Sequence, residues 1–96
     1  MVEKQYYVYL MASEKNGTIY IGVTSNLVDR VFKHKQSVYD GFTKKYKVDR
    51  LVYYEVYGDI YEAIGREKQL KNWKRDWKMK LIEKNNFAWR DLFCEI

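Results

Sequence analysis

Residues 6–12 (YYVYLMA) and 18–23 (TIYIGV) are two β-branched and aromatic runs separated by a short polar segment. Such runs are typical of strands. The Asn16-Gly17 dipeptide between them is a strong hairpin signal, because both residues tolerate positive φ. Side chains alternate between faces along a strand, so Tyr20 and Gly22 share one face of the second run. The sequence therefore predicts a β-hairpin on which Tyr9 and Tyr20 approach each other.

The rest of the chain continues with helices and one further strand. Thr24-Ser25-Asn26 supplies N-cap residues for a helix from Leu27 to about Gln36. A polar stretch, residues 37–49, precedes a third strand over Leu51–Tyr57. Gly58 ends that strand, and Asp59 with Glu62 forms a capping box for a helix reaching about Trp73.

A last helix is predicted from about Arg75 to Lys84, with Trp77, Leu81 and Ile82 facing inward. The order β-β-α-β-α-α indicates an α+β fold, a small three-stranded and mostly antiparallel sheet flanked by helices. The length of 96 residues favours one domain over residues 1–96.

Charge is concentrated in the C-terminal half of the chain. The net charge is +5, and residues 63–84 hold eight Lys or Arg against three acids, so this segment carries the whole excess. A basic surface favours a polyanionic partner, most simply nucleic acid. A solvated helix face is the equally weighted alternative.

The cysteine content and the apolar runs of the sequence exclude several classes of protein. Cys94 is the single cysteine, which excludes an internal disulfide and a cysteine-based zinc site. No signal-peptide pattern or membrane-length apolar run occurs, so the expected location is cytoplasmic, without membrane association.

Four features of the sequence could take part in catalysis or ligand binding. Tyr9 and Tyr20 lie on paired strands, and Gly22 marks a close backbone approach. Arg30 and His34, spaced i and i+4, share one helix face. Glu67 lies among Arg and Lys residues on its helix. Each feature has a structural explanation (packing, turn entry, surface solvation or an ion pair with Lys71), so none assigns a function by itself.

Together these residues resemble a known family. Tyr7-Val8-Tyr9 followed by Tyr20-Ile21-Gly22 is similar to the paired motif that names the GIY-YIG nuclease superfamily. The resemblance implies catalytic roles for Tyr9, Tyr20, Arg30, His34 and Glu67, with Gly22 structural at the site.

The resemblance extends to the end of the chain and has three departures. Residues 81–92 are similar to the ending of the small stand-alone bacterial members, which are related to the nuclease domain of the excision-repair incision subunit. Tyr7-Val8 replaces Gly-Ile in the first motif, Val23 replaces a lysine found in some relatives, and Phe87 replaces a proline.

The implied activity is metal-dependent cleavage of phosphodiester bonds, in DNA more than in RNA, in repair or recombination. Glu67 is the implied ligand of Mg²⁺ or Mn²⁺. One metal ion is expected, because Mg²⁺ needs only one or two protein carboxylates and the sequence lacks a cluster of acids. Arg30 would hold the phosphate. The general base is open: the resemblance ranks Tyr9 first, with Tyr20 in support, whereas His34 has the more suitable ordinary pKa.

Further residues are expected to bind nucleic acid. The phosphate contacts are Lys44, Lys45, Lys71, Lys74, Arg75 and Lys78, and the resemblance adds Asn86. Tyr46, Trp73 and Trp77 are candidates for stacking on bases, although core packing is the stronger explanation for Trp77. Two other interpretations are a non-catalytic nucleic-acid-binding module and a weak homodimer, in place of a monomer, formed through an exposed sheet edge.

Overall fold

The computed structural model describes residues 4–36 and 47–96. Its strands are β1 (Tyr6–Ala12), β2 (Ile19–Thr24) and β3 (Arg50–Tyr57), and its α-helices are α1 (Leu27–Lys35), α2 (Ile60–Asn72) and α3 (Arg75–Asn85), followed by a 3₁₀ turn at Phe93–Glu95. The predicted α+β order is confirmed, with boundaries within two residues. Lys44, Lys45 and Tyr46 lie outside the described residues.

The sheet has the order β2-β1-β3, and both pairings are antiparallel. Its hairpin turns where predicted: Asn16 has φ 62°, and the backbone N–H of Gly17 donates to the carbonyl of Glu14 at 3.0 Å. β1 is therefore the central strand, and β2 and β3 are the two edges. Tyr9, on β1, lies directly opposite Gly22 on β2.

The two faces of the sheet carry separate cores. On one face, Val8 and Leu10 pack with Ala63 and Leu70 of α2 and with Ile82 of α3. We call this the α2 face. On the other, the α1 face, Tyr9 and Met11 pack with the α1 residues Leu27 and Val31. The two-residue alternation along β1 thus decides which side chains each helix layer meets.

Side-chain caps set where two helices begin. The side chain of Asn26 accepts a hydrogen bond from the backbone of Asp29 at the start of α1, and that of Asp59 accepts one from Tyr61 at the start of α2. Each cap satisfies a backbone donor that the first helical turn cannot. These contacts fix α1 directly after β2, and so place Arg30 and His34 over the sheet.

The expectation for Trp77 is wrong, and Asn86 is held within the fold. Trp77 is 51% exposed instead of buried, whereas Ile82 is the buried residue of α3. Asn86 is 5% exposed, and its amide nitrogen donates to the carbonyls of Val52 and Arg90 at 3.1 and 2.9 Å. Its side-chain oxygen accepts from the backbone N–H of Arg90. Asn86 therefore ties the end of α3 to β3, and its side-chain amide is engaged within the fold.

Candidate nuclease site

Gly22 makes room for the ring of Tyr9. A Cβ atom at this glycine would lie 2.5 Å from the hydroxyl oxygen of Tyr9 and 2.6 Å from Cζ. Those distances are far below van der Waals contact, so a side chain at position 22 would force the phenol to move. The close approach predicted at Gly22 is thus made by Tyr9 itself.

The phenols of Tyr9 and Tyr20 meet the imidazole of His34 on the α1 face. Tyr9 Oη lies 3.2 Å from His34 Nε2, within hydrogen-bonding distance. The ring centroids of Tyr20 and His34 are 5.2 Å apart, and those of the two tyrosines 6.2 Å. Tyr9 is fully buried and His34 nearly so, whereas Tyr20 is half-buried. Tyr20 is therefore the phenol of this group that reaches solvent.

Arg30 lies one helical turn before His34, and its charge acts on the imidazole. Burial, and secondarily the positive charge of Arg30, lowers the pKa of His34 from an ordinary value near 6.5 to about 4. His34 is consequently neutral near neutral pH, and the fixed positive charge beside it belongs to the guanidinium. Tyr9, Tyr20, Arg30 and His34 form what we call the phenol–imidazole cluster.

A surface hollow of about 290 Å³ opens beside Arg30. It is lined by Lys4, Tyr6, Val23, Thr24, Ser25, Arg30 and Ile60. Lys4 was not a predicted site residue, and the sequence signals it only by its place just before β1. Some relatives carry a lysine at the position of Val23, on β2. Here Lys4, which lies just before β1, is the lysine that lines the hollow. The hollow therefore presents two cations to an anionic ligand.

Glu67 lies on α2, at the opposite face of the sheet from the phenol–imidazole cluster. It follows Ala63 by four residues and precedes Leu70 by three, and both of those residues are fully buried. Glu67 thus shares the sheet-facing stripe of α2. Its side chain is only 16% exposed, and Lys71 Nζ lies 3.5 Å from its Oε1. A carboxylate on the inward stripe of a helix is unusual, because burial penalises its charge.

The five predicted catalytic residues are therefore divided between the two faces. Four lie together on the α1 face, and Glu67 projects from α2, which packs against β1 and β2 on the opposite face. β2 is the edge strand nearest both groups, and Tyr20 and Gly22 are part of it. A ligand that engages all five residues has to do so around this edge.

The ionisable residues limit which metal site the chain can offer. Across residues 4–36 and 47–96, no group of three or more His, Cys, Asp or Glu is arranged to hold a metal ion. The partly hidden carboxylate of Glu67 fits a hard cation that keeps most of its waters and takes one protein oxygen, as Mg²⁺ does. It does not fit a site closed by several acids.

The predicted phosphate contacts within the described residues lie around the junction of α2 and α3. Lys71 pairs with Glu67, and Lys78 Nζ approaches the carbonyl of Lys71 at 3.5 Å. Lys74 is exposed immediately before α3. Arg75 Nη2 donates to the carbonyls of Asn16 and Gly17 at 2.7 and 2.5 Å, so it also fastens α3 to the hairpin turn.

A second polar group, which sequence reasoning missed, lies on the α2 face. Glu55 accepts hydrogen bonds from the hydroxyls of Tyr53 and Tyr57, at 2.5 and 2.7 Å, and from Nε and Nη2 of Arg66, both at 3.0 Å. Burial opposes the charge, but these donors hold the pKa of Glu55 below its usual value. The spacing of Tyr53, Glu55 and Tyr57 at every second residue is the signal that could have revealed this Glu55 cluster.

The comparisons with known proteins identify the family of the chain. The family model for the GIY-YIG catalytic domain matches residues 5–80. A UPF0213 protein of Pediococcus pentosaceus is 31% identical over 87 residues, covering 91% of this chain and 90% of the relative. A UPF0213 protein of Staphylococcus haemolyticus is 33% identical over 79 residues, covering 82% of this chain and 95% of the relative.

A solved structure also matches. The solution NMR structure of the UPF0213 protein BH0048 from Bacillus halodurans has a TM-score of 0.54 at 27% identity, covering 85% of this chain and 86% of that one. Within residues 4–36 and 47–96, no helix is long and apolar enough to span a bilayer. The motif, the element order and the extent of the family match lead to one conclusion: the chain belongs to the GIY-YIG catalytic domain family, a family of nucleases.

Proposed function

We propose that this protein is a divalent-metal-dependent endonuclease that hydrolyses phosphodiester bonds in DNA by a one-metal mechanism. The observation that carries the proposal is the position of Arg30. Its charge acts on a neutral imidazole that contacts two phenols, and the residue lines an open hollow together with Lys4. This arrangement favours an anionic ligand beside Arg30, one helical turn from a group that can transfer protons.

Arg30 binds the scissile phosphate in this proposal. Its planar guanidinium matches phosphate oxygens and stays charged at every relevant pH. Lys4 adds a second positive charge to the lining of the hollow. Both cations counter the negative charge that accumulates on the phosphoryl oxygens as the attacking oxygen arrives.

The phenol–imidazole cluster takes the proton of the attacking water. Nε2 of His34 is the final acceptor in the tautomer that carries its hydrogen on Nδ1, because the imidazole is neutral and 3.2 Å from Tyr9 Oη. The proton enters through the phenols: Tyr9 passes its own to His34 and receives one from the side of Tyr20, whose phenol is half-buried. Burial is the larger cause of the lowered pKa of His34, and Arg30 is the smaller one. Phosphate bound at Arg30 offsets the smaller effect, so substrate makes the imidazole a better base. Tyr9 and His34, the two alternatives for the base, then act as one relay.

Glu67 would hold the cation through one carboxylate oxygen. When bound, Mg²⁺ or Mn²⁺ supplies Lewis-acid stabilisation of the phosphate and of the leaving oxygen. Lys71 pairs with Glu67 at 3.5 Å and would compete with a cation for its charge. A part in DNA repair or recombination follows from the resemblance, and together with the expected cytoplasmic setting it completes the proposal.

The test is a cleavage panel on single-stranded, duplex, flap and branched DNA, with Mg²⁺, with Mn²⁺ and with chelator. We expect turnover only with metal, and at least about a 100-fold loss of rate in Arg30→Ala and in Glu67→Gln. The matched controls are Lys33→Ala, an exposed cation on α1, and Glu62→Gln, an exposed acid on α2. Both should cut at close to the wild-type rate.

A non-catalytic nucleic-acid-binding module is the second candidate, and Val23 is the observation that favours it, because some relatives carry a lysine there. This alternative predicts binding without turnover on every substrate and with either metal. Wild-type cleavage by Glu67→Gln would instead contradict the assigned role of that carboxylate.

A further inference from the structure

An aromatic groove with lysines on its border lies on α3, away from the phenol–imidazole cluster. It has a volume of about 410 Å³ and is lined by Trp73, Trp77, Lys80, Leu81 and Lys84. We call it the tryptophan groove. Trp77 exposes 51% of its surface there, against the expectation that it packs inward. The exposed indole of Trp77 is not isolated, because Trp73 and Leu81 line the same groove, and a contiguous apolar patch on the surface is the feature that marks a binding site.

The two indoles are held in place before any ligand arrives. The guanidinium carbon of Arg66 lies 5.0 Å from the ring centroid of Trp73. Arg66 is itself fixed by Glu55, so Trp73 is anchored to β3 through α2. Trp77 meets Trp73 edge to face, with centroids 5.8 Å apart and planes at 82°. A preset ring costs less conformational entropy on binding than a mobile one.

The charges around the groove indicate an anionic ligand. Lys80 and Lys84 follow Trp77 by three and seven residues, so the lysines and the indole share one side of α3. Both lysines are exposed. Glu83 is directed elsewhere, because its carboxylate accepts a hydrogen bond from Trp89 Nε1 at 2.7 Å. Aromatic faces beside exposed ammonium groups are the chemistry that binds unpaired nucleotides.

We infer that the tryptophan groove binds an unpaired nucleotide of the substrate, with a base stacked on Trp77 and the neighbouring phosphates on Lys80 and Lys84. This inference rests on the proposed function and narrows it to nucleic acid with a single-stranded segment. Paired bases within a duplex are stacked on each other and do not offer their faces to an indole. Flap, branched or single-stranded DNA is therefore the preferred substrate class.

The test measures affinity without cleavage. Binding of a labelled single-stranded oligothymidine and of a duplex of equal length is followed by fluorescence anisotropy in chelator. We expect Trp77→Ala to weaken single-strand binding by about fivefold or more, and duplex binding by less than about twofold. Trp77→Phe should recover most of the single-strand affinity, because it restores an aromatic face. Phe87→Ala is the matched control, since Phe87 is a 70% exposed aromatic outside the groove.

Equal losses on both ligands, or no loss on the single strand, would overturn the inference. So would a wild-type protein that binds neither DNA. Sedimentation gives another contrary outcome: self-association that Trp77→Ala abolishes, with unchanged single-strand affinity, would make the groove a contact between copies of the chain. Because chelator removes cleavage from the measurement, single-strand binding without turnover contradicts only the proposed nuclease activity.

Discussion

The phenol–imidazole cluster and the Glu55 cluster contain similar residues but differ in how their charges are balanced. Both place two tyrosines and an arginine around a titratable group, one on the α1 face and the other on the α2 face. In the Glu55 cluster, a carboxylate and a guanidinium neutralise each other, and both carboxylate oxygens accept hydrogen bonds. In the phenol–imidazole cluster, the titratable group is a neutral imidazole, so the positive charge of Arg30 is not neutralised by it.

This difference separates a structural network from a reactive one. The Glu55 cluster joins β3 to α2, and its charges are satisfied within the fold, which adds stability without leaving a group for a ligand. In the phenol–imidazole cluster, Arg30 lines a hollow and the phenol of Tyr20 is only half-buried. Substitutions in the two clusters should therefore affect different properties of the protein, and the predictions below test that separation.

The largest effect is expected from the Tyr9–His34 relay. Tyr9→Phe and His34→Gln should each lower the cleavage rate by at least about 100-fold, because each removes one half of a general-base unit. The double variant should be little worse than either single one, since groups that act together are non-additive. The measurement is single-turnover cleavage at saturating protein.

Tyr53→Phe serves as the control for that prediction, because it removes a hydroxyl of the same kind from the Glu55 cluster. It should leave the single-turnover rate within about twofold of wild type. A comparable loss in Tyr53→Phe, or fully additive losses for the relay pair, would contradict the separation between the clusters.

An intermediate effect is expected at Gly22. Gly22→Ala should destabilise the fold by about 1–3 kcal/mol, because the added methyl group overlaps the phenol of Tyr9 in a packed core. Urea denaturation measures this loss. Gly58→Ala is the matched control, since an added Cβ there meets nothing within 4 Å. Equal stability losses at the two glycines would show that the contact with Tyr9 is not the cause.

The smallest effect is a difference in acid sensitivity. The unfolded chain protonates His34 near pH 6.5, but the folded one does so only near 4, so His34 contributes stability that is lost as the pH falls through this window. The loss is at most about 1.4 kcal/mol per pH unit. The pKa of Glu55 is also lowered, so its contribution is lost below its ordinary value of 4.5.

Denaturation curves across the acid range separate the two groups. His34→Gln should flatten the dependence of the unfolding free energy on pH between about 6.5 and 4, relative to wild type. Glu55→Gln should flatten it only below 4.5. If His34→Gln changed the pH dependence only below 4.5 and Glu55→Gln changed it between about 6.5 and 4, the assigned pKa shifts would be contradicted.

Local rules were enough to predict most of the fold. The Asn16-Gly17 turn, the caps at Asn26 and Asp59, and the alternation along β1 and β2 each depend on a few neighbouring residues. The position of Gly22 opposite Tyr9 also follows from the length of the hairpin. The shared face of Arg30 and His34 came from helical spacing alone.

What sequence reasoning missed depends on tertiary contacts. Trp77 and Ile82 are both apolar residues of α3, and only the packing of that helix decides that Ile82 is buried and Trp77 exposed. The resemblance gave Asn86 as a nucleic-acid contact. The hydrogen bond from its amide to the carbonyl of Val52, which is distant in sequence, was not predicted. Likewise, the place of Glu67 on the α2 face follows from how α2 crosses the sheet, which spacing within the helix does not specify.

The central claim is that β2 brings Glu67 from one face and the phenol–imidazole cluster from the other into one metal-assisted site. A titration of isotope-labelled protein with paramagnetic Mn²⁺, followed by NMR, tests it most directly. We predict selective broadening of the amide signals of Glu67 and of Tyr20 to Gly22, lost in Glu67→Gln and kept in Glu62→Gln. Broadening confined to other parts of the chain, or unchanged in Glu67→Gln, would contradict the claim.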